Sequence, residues 1–238
     1  MGGELCRLCQ KESELRYSHI LPEFFYLPLY DELHRTMSVP SDEKQKLVQK
    51  GVREYLLCQG CETKLSKYEG YTARLIQEIS NFSKDSSGLF FYSDNVDYRQ
   101  FKLFQLSILW RAGVSRNKMF AQVELGAKHE ERIRCMLVEE NPGRFSDYGC
   151  FITLFPNARK IDKIIWSPAR LKLFGHNGYK FMTGNLMWYF FVTSHLPNAE
   201  IQSFFVQESG MLRIWLDLVG EDEIYANMVR ALRSRRVK

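Results

Sequence analysis

Two Cys-x2-Cys pairs, Cys6-Arg7-Leu8-Cys9 and Cys58-Gln59-Gly60-Cys61, bracket a Ser18-His19-Ile20 tripeptide and constrain this chain more than any other feature. Two such knuckles can present four thiolates to one tetrahedral zinc ion, so Cys6, Cys9, Cys58 and Cys61 are the expected zinc ligands. A helical pattern begins at the second knuckle, with Leu65, Tyr68, Thr72, Leu75, Ile76 and Ile79 recurring at three- and four-residue spacing. A metal at this point would pin the helix start against the segment carrying the first knuckle. His19 would then sit inside a small rigid unit whose fold depends on the ion.

The rest of the chain reads as an α+β protein. The linker Ser83-Lys84-Asp85-Ser86-Ser87-Gly88 suggests a boundary between a zinc-bearing module, residues 1–82, and a second domain, residues 83–238. Inside the module, Pro22 to Arg35 reads as a short helix and Lys44 to Lys50 as a polar helix closed by Gly51. Arg53 to Leu57 reads as a strand leading into the second knuckle. The second domain is expected to hold helices over about 97–140, one buried from Tyr98 to Ala112 and one amphipathic from Ala127. Antiparallel strands should follow over about 148–218, including Ile201–Val206. His176-Asn177-Gly178 would serve as a hairpin turn, and a C-terminal helix should run over about 221–236.

Composition excludes some classes. Hydrophobic residues at 45% and charged residues at 26% suit a water-soluble globular chain, and no segment has the length or apolarity of a membrane span. The early cysteines and charges do not resemble a signal peptide, and paired knuckles without one favour zinc over disulfides and a cytoplasmic setting. The net charge of +5 permits a nucleic-acid partner without requiring one. Lys44, Lys46 and Arg53, and the C-terminal Arg233, Arg235 and Arg236, are the basic groups that could follow a phosphate backbone. Arg111, at the end of the buried helix, is expected to pack there and to pair with an acidic neighbour.

The order Cys6-x2-Cys9, Ser18-His19-Ile20-Leu21-Pro22, Leu57-Cys58-x2-Cys61-Glu62 resembles the zinc-bearing HNH, or ββα-metal, treble-clef nucleases. Phage endonucleases that resolve Holliday junctions and carry a four-cysteine zinc belong to that group. The likeness covers roughly residues 4–70. It implies a structural zinc, His19 as general base on an attacking water, and a catalytic Mg²⁺ or Mn²⁺ at the scissile phosphate. Ser18 stands where the family has Asp, and Glu62 where it has Asn. A neutral hydroxyl is a poorer ligand for a hard cation, so Glu62, with Glu69 seven residues later on the same helix face, would have to supply the carboxylates.

The resemblance therefore implies a metal-dependent endonuclease that hydrolyses DNA, with bacterial or phage defence as one setting. The alternative is a zinc module without catalysis that binds nucleic acid or a protein partner. In either case the second domain would provide recognition, a docking surface or a homo-oligomer interface.

Overall fold

The computed structural model describes residues 3–33, 35–39, 46–49, 51–155 and 164–216. It shows a mixed α and β protein whose sheets are mostly antiparallel. The chain opens with a two-stranded ribbon, β1 (Glu4–Leu5) and β2 (Glu12–Ser13), which carries the first knuckle in its loop. β3 (Leu15–His19) follows. The helix expected from Pro22 is instead two short 3-10 turns, Glu23–Phe25 and Leu27–Leu29. Pro28 explains the correction, because it lacks the N–H that a continuing α-helix would need. Asp31 then turns the chain by accepting hydrogen bonds from the Leu33 and Arg35 amides, both 2.9 Å.

β4 (Arg35–Val39) and β5 (Lys46–Gln49) form an antiparallel pair, so the polar helix expected over Lys44–Lys50 is, at residues 46–49, a strand. A short polar stretch with no apolar stripe has little to hold it helical, whereas the β4 ladder supplies its backbone hydrogen bonds. β6 (Arg53–Cys58) pairs antiparallel with β3 and runs directly into α1 (Gln59–Gln77).

Past α1, the expected linker is ordered into β7 (Ser83–Lys84), which pairs with β8 (Phe90–Ser93). Asp85 organises the turn by accepting from the amides of Ser87 and Phe90. α2 (Tyr98–Val114) is capped by Asp97, whose side chain accepts from the Gln100 amide. It is buried along almost its whole length and continues through Gly113, where a side chain would collide with Leu125. α3 (Ala127–Val138) follows.

The remaining strands are β9 (Cys150–Leu154), β10 (Ile164–Trp166), β11 (Ala169–Leu173), β12 (His176–Thr183) and β13 (Leu186–Phe191). The turn expected at His176-Asn177-Gly178 lies two residues earlier, at Phe174–Gly175, with φ of 49° and 86°. Two positive values match the primed turn that a two-residue hairpin favours. Gly178 lies inside β12 for a different reason: a Cβ there would meet the Phe190 carbonyl oxygen at 2.3 Å. The strand expected at Ile201–Val206 is instead a short helix, α4 (Ala199–Gln202), set by Asn198, whose side chain accepts from the Ile201 amide. β14 (Leu212–Leu216) is the last described element, and the C-terminal helix expected over 221–236 lies outside the described residues.

The large sheet runs β5-β4-β10-β12-β13-β9-β14-β8-β7, with β11 added beside β12. It therefore joins strands from both sides of residue 82. The main core does the same: Leu57, Leu65 and Tyr68 belong to one apolar cluster with Phe104, Trp110 and Trp188. Phe25 packs edge-on against Trp188 at 5.7 Å between ring centres, a contact between the 3-10 segment and the sheet. Through this core the β3–β6 hairpin and α1 rest against α2.

Candidate metal centre and hairpin site

The first knuckle is a tight turn held by the backbone. The Gln10 amide donates to the Cys6 carbonyl at 2.9 Å, the Cys6 amide to the Lys11 carbonyl at 3.0 Å, and Gln10 takes a left-handed φ of 59°. The Arg7 amide donates to the Leu56 carbonyl at 3.1 Å, which fastens the knuckle to β6. Behind it, Arg134 of α3 donates to the Leu8 carbonyl at 2.8 Å, and Arg7 pairs with Glu130 at 3.2 Å. The second knuckle is the start of α1, with Cys58 as the N-cap residue and Cys61 in the first turn.

The four sulfur atoms lie within 4.8 Å of one another, and Cys9 and Cys58 are 3.9 Å apart. Zinc–sulfur bonds of about 2.3 Å in a tetrahedron place sulfurs roughly 3.8 Å apart, so the cluster suits such an ion after a small contraction. The Cys58 amide donates to the Cys6 sulfur at 3.3 Å, and the positive end of the α1 dipole faces the same group. Burial raises the Cys58 thiol, but hydrogen bonds from the Cys61 amide and the neighbouring thiols outweigh it and bring it to about 7. Burial pushes Cys6 and Cys61 up. Four thiolates this close, two of them buried, need a positive charge among them, and a dication supplies it. Among the described residues, no second set of three or more His, Cys, Asp or Glu side chains lies close enough to share an ion.

The opposite end of the hairpin carries His19. Leu15 is opposite Cys58 and His19 opposite Arg53, so the imidazole lies four residues along β3, about 13 Å from the thiol end. His19 is half-buried, and its Nε2 accepts from Arg53 Nε at 2.9 Å. A guanidinium can only donate, so this ring nitrogen carries no proton. Arg53 also reaches Glu23 at 3.4 Å, and the His19 ring stacks on Tyr26 at 6.0 Å. Ser18 points the other way, buried, with its hydroxyl donating to the Arg16 carbonyl at 3.2 Å.

α1 runs back alongside the hairpin. From Cys61 to Glu69 it advances about 12 Å, close to the length of β3, so Glu69 reaches the His19 level while Glu62 stays near the thiols. Arg111 confirms this alignment. It pairs with Glu69 at 2.7 Å and donates to the His19 carbonyl at 2.9 Å, with 1% of its side chain exposed. The acidic neighbour expected for Arg111 is thus Glu69, and one buried guanidinium joins α1, α2 and the end of β3. Glu54, opposite Ser18 on the inner face, accepts from the Ser115 hydroxyl at 2.5 Å and the Arg116 amide at 2.9 Å, which anchors the hairpin to the end of α2.

The two candidate carboxylates differ. Glu62 keeps one enclosed oxygen without a hydrogen-bond partner among the described residues, the kind of donor that a hard cation takes up. Glu69 already shares its charge with Arg111. Seven residues on one helix put them about 10 Å apart along its axis, so each could offer its carboxylate to a hard cation only separately, with water in the remaining positions.

Of the basic candidates, Arg53 is in place on the hairpin and Lys46 lies in β5, its side chain outside the described set; Lys44, Arg233, Arg235 and Arg236 also fall outside it. Sequence reasoning missed the His19–Arg53 pairing and the anchoring role of Glu54. The only signal was that Arg53 opens the strand leading to Cys58. Among the described residues, no helix is long and apolar enough to cross a membrane. Comparison with protein-family models, curated proteins and solved structures gives no match to this chain.

Proposed function

We propose that this protein is a metal-dependent endonuclease of HNH type acting on DNA phosphodiesters, with the hairpin and α1 as a treble-clef module around a structural zinc. The observation that carries the reading is His19. An unprotonated imidazole nitrogen stands at one end of a hairpin whose other end carries the four thiols, with Arg53 beside it and the buried Arg111 guanidinium, paired with half-buried Glu69, behind it.

In this reading Arg53 turns from the imidazole to an incoming phosphate, which it can grip through two N–H groups. That movement frees Nε2 to take the proton of the attacking water. Arg111 holds the His19 main chain, so the ring keeps its position when its partner leaves. Of the two candidate carboxylates Glu69 is the one at the level of His19, so Mg²⁺ or Mn²⁺ held beside it would supply charge stabilisation at the scissile phosphate.

A second reading is favoured by two observations. Ser18 replaces the family's metal-binding Asp and spends its hydroxyl on its own strand, and the His19 nitrogen is covered by Arg53. These suit a zinc module that binds nucleic acid or a protein without cutting. Supercoiled plasmid separates the two. The nuclease reading expects nicking with Mg²⁺ or Mn²⁺ that His19→Ala abolishes while zinc content stays at one per chain. Binding without nicking under either ion would leave only the second reading.

A further inference from the structure

The outward face of the β3–β6 hairpin carries an arrangement that zinc binding and catalysis leave unexplained. Tyr17 and Tyr55 are cross-strand partners with ring centres 5.1 Å apart, and they remain 56% and 66% exposed. Strand alternation puts His19 on the same face as Tyr17, and Arg53 on the same face as Tyr55, two residues further along each strand. The intervening Ser18 faces inward at 3% exposure. Two aromatic rings and an imidazole–guanidinium pair therefore form adjacent rungs of one surface, a step of about 6.6 Å apart.

The pairing register explains how both tyrosines come to face solvent. It shifts between Arg16 and Tyr17, so that Arg16 faces Leu57 while Tyr17 faces Tyr55, and Leu56 is the extra residue of a bulge. A bulge of this kind re-aims side chains. Here Leu56 and Leu57 are both buried, while Arg16 and Tyr17 are both exposed. Placing two large rings side by side in water gains little stability for the fold. Together with Arg53 on the next rung they form an exposed surface that is aromatic, with the two rings tilted by 42°, and carries a guanidinium. Glu23 borders it, 3.4 Å from Arg53.

We infer that this face is a platform for unpaired nucleotides, with bases stacked on Tyr17 and Tyr55 and the adjoining phosphate held by Arg53 beside His19. The substrate class is then single-stranded or locally unpaired nucleic acid rather than intact duplex, because a base can lie on a ring only when it is out of its own stack. The inference rests on the nucleic-acid reading proposed above and names the substrate form that the same hairpin accepts. Aromatic stacking tolerates any base, so the platform confers structure preference rather than sequence preference.

The test is fluorescence anisotropy of a labelled oligothymidine and of a blunt duplex of equal length, at one fixed salt concentration. The wild type is expected to bind the single strand more tightly. Tyr17→Ala with Tyr55→Ala should weaken that binding by roughly thirty-fold or more, about five-fold or more for each ring lost, while Tyr17→Phe with Tyr55→Phe retains it, since the rings and not the hydroxyls carry the stacking. Zinc content of each variant confirms that the module is intact. Equal affinity for both oligonucleotides, or alanine variants that bind like the wild type, would overturn the inference. It would also be overturned if those variants changed only self-association, which would make the face a protein interface. The readouts separate this inference from the nuclease reading: tyrosine-dependent binding without any nicking sinks only the nuclease, and nicking with binding indifferent to both tyrosines sinks only the platform.

Discussion

Removing the Glu69 carboxylate tests the link between the two helices and the histidine. Glu69→Ala leaves the Arg111 guanidinium at 1% exposure, still bonded to the His19 carbonyl at 2.9 Å and to the Ser107 carbonyl and hydroxyl, both at 3.4 Å, but without a counter-charge. An uncompensated buried charge of this kind costs about 3–5 kcal/mol. Glu69 is 22% exposed, so part of the pair already meets water, and the lower end of that range, about 3 kcal/mol, is expected. For a chain of this size that loss lowers the midpoint of thermal unfolding by roughly 6–12 °C.

Glu69→Gln also removes the counter-charge but keeps an acceptor for Arg111, so it should cost about 2 kcal/mol, less than Glu69→Ala by roughly the 1 kcal/mol of one retained hydrogen bond. The double change Glu69→Met with Arg111→Met removes both charges and should be less destabilised than the sum of the single changes, with a coupling of about 1–3 kcal/mol. Urea unfolding of the zinc-loaded proteins measures all of these, with an unchanged slope showing that the denatured state is not responsible. A loss below about 1 kcal/mol for Glu69→Ala, or strict additivity in the double variant, would refute the reasoning.

Two further outcomes concern the frame. Partial burial pushes the Asp97 carboxyl up, but the hydrogen bonds that it accepts from Gln100 outweigh this and hold it below the usual carboxylate range. Its contribution to stability is therefore full above the unfolded pKa of about 4 and is lost as pH falls through the lower folded value. Asp97→Ala should cost about 1 kcal/mol at neutral pH, whereas Asp97→Asn should keep most of the cap and lose this acid dependence, both read by urea unfolding across pH. Gly178→Ala places a methyl group 2.3 Å from the Phe190 carbonyl oxygen and should cost about 1–3 kcal/mol or prevent folding, as thermal unfolding will show.

Local pattern made some of this protein legible and distance hid the rest. α1, α2 and α3 were readable because apolar residues recur at helical spacing or fill the helix outright, and the four cysteines were readable because their spacing is set by one turn of chain at each knuckle. What the sequence did not reveal depends on partners far along the chain. Arg53 meets His19 only because β3 pairs with β6 across the β4–β5 excursion, and Glu54 is absorbed by Ser115 and Arg116 through packing on α2. At Phe174–Gly175 and at Lys46–Gln49, a weak local signal yielded to strand pairing. Pro28, by contrast, is a local signal in the sequence itself against a continuous helix from Pro22.

The central claim is that one metal ion holds Cys6, Cys9, Cys58 and Cys61 together and so fixes the hairpin that presents His19. X-ray absorption at the zinc edge, with metal content measured on the same sample, tests it directly. The claim predicts one zinc per chain with four sulfur neighbours at about 2.3 Å. Sulfur atoms joined as disulfides, or a zinc shell built from nitrogen and oxygen, would contradict it.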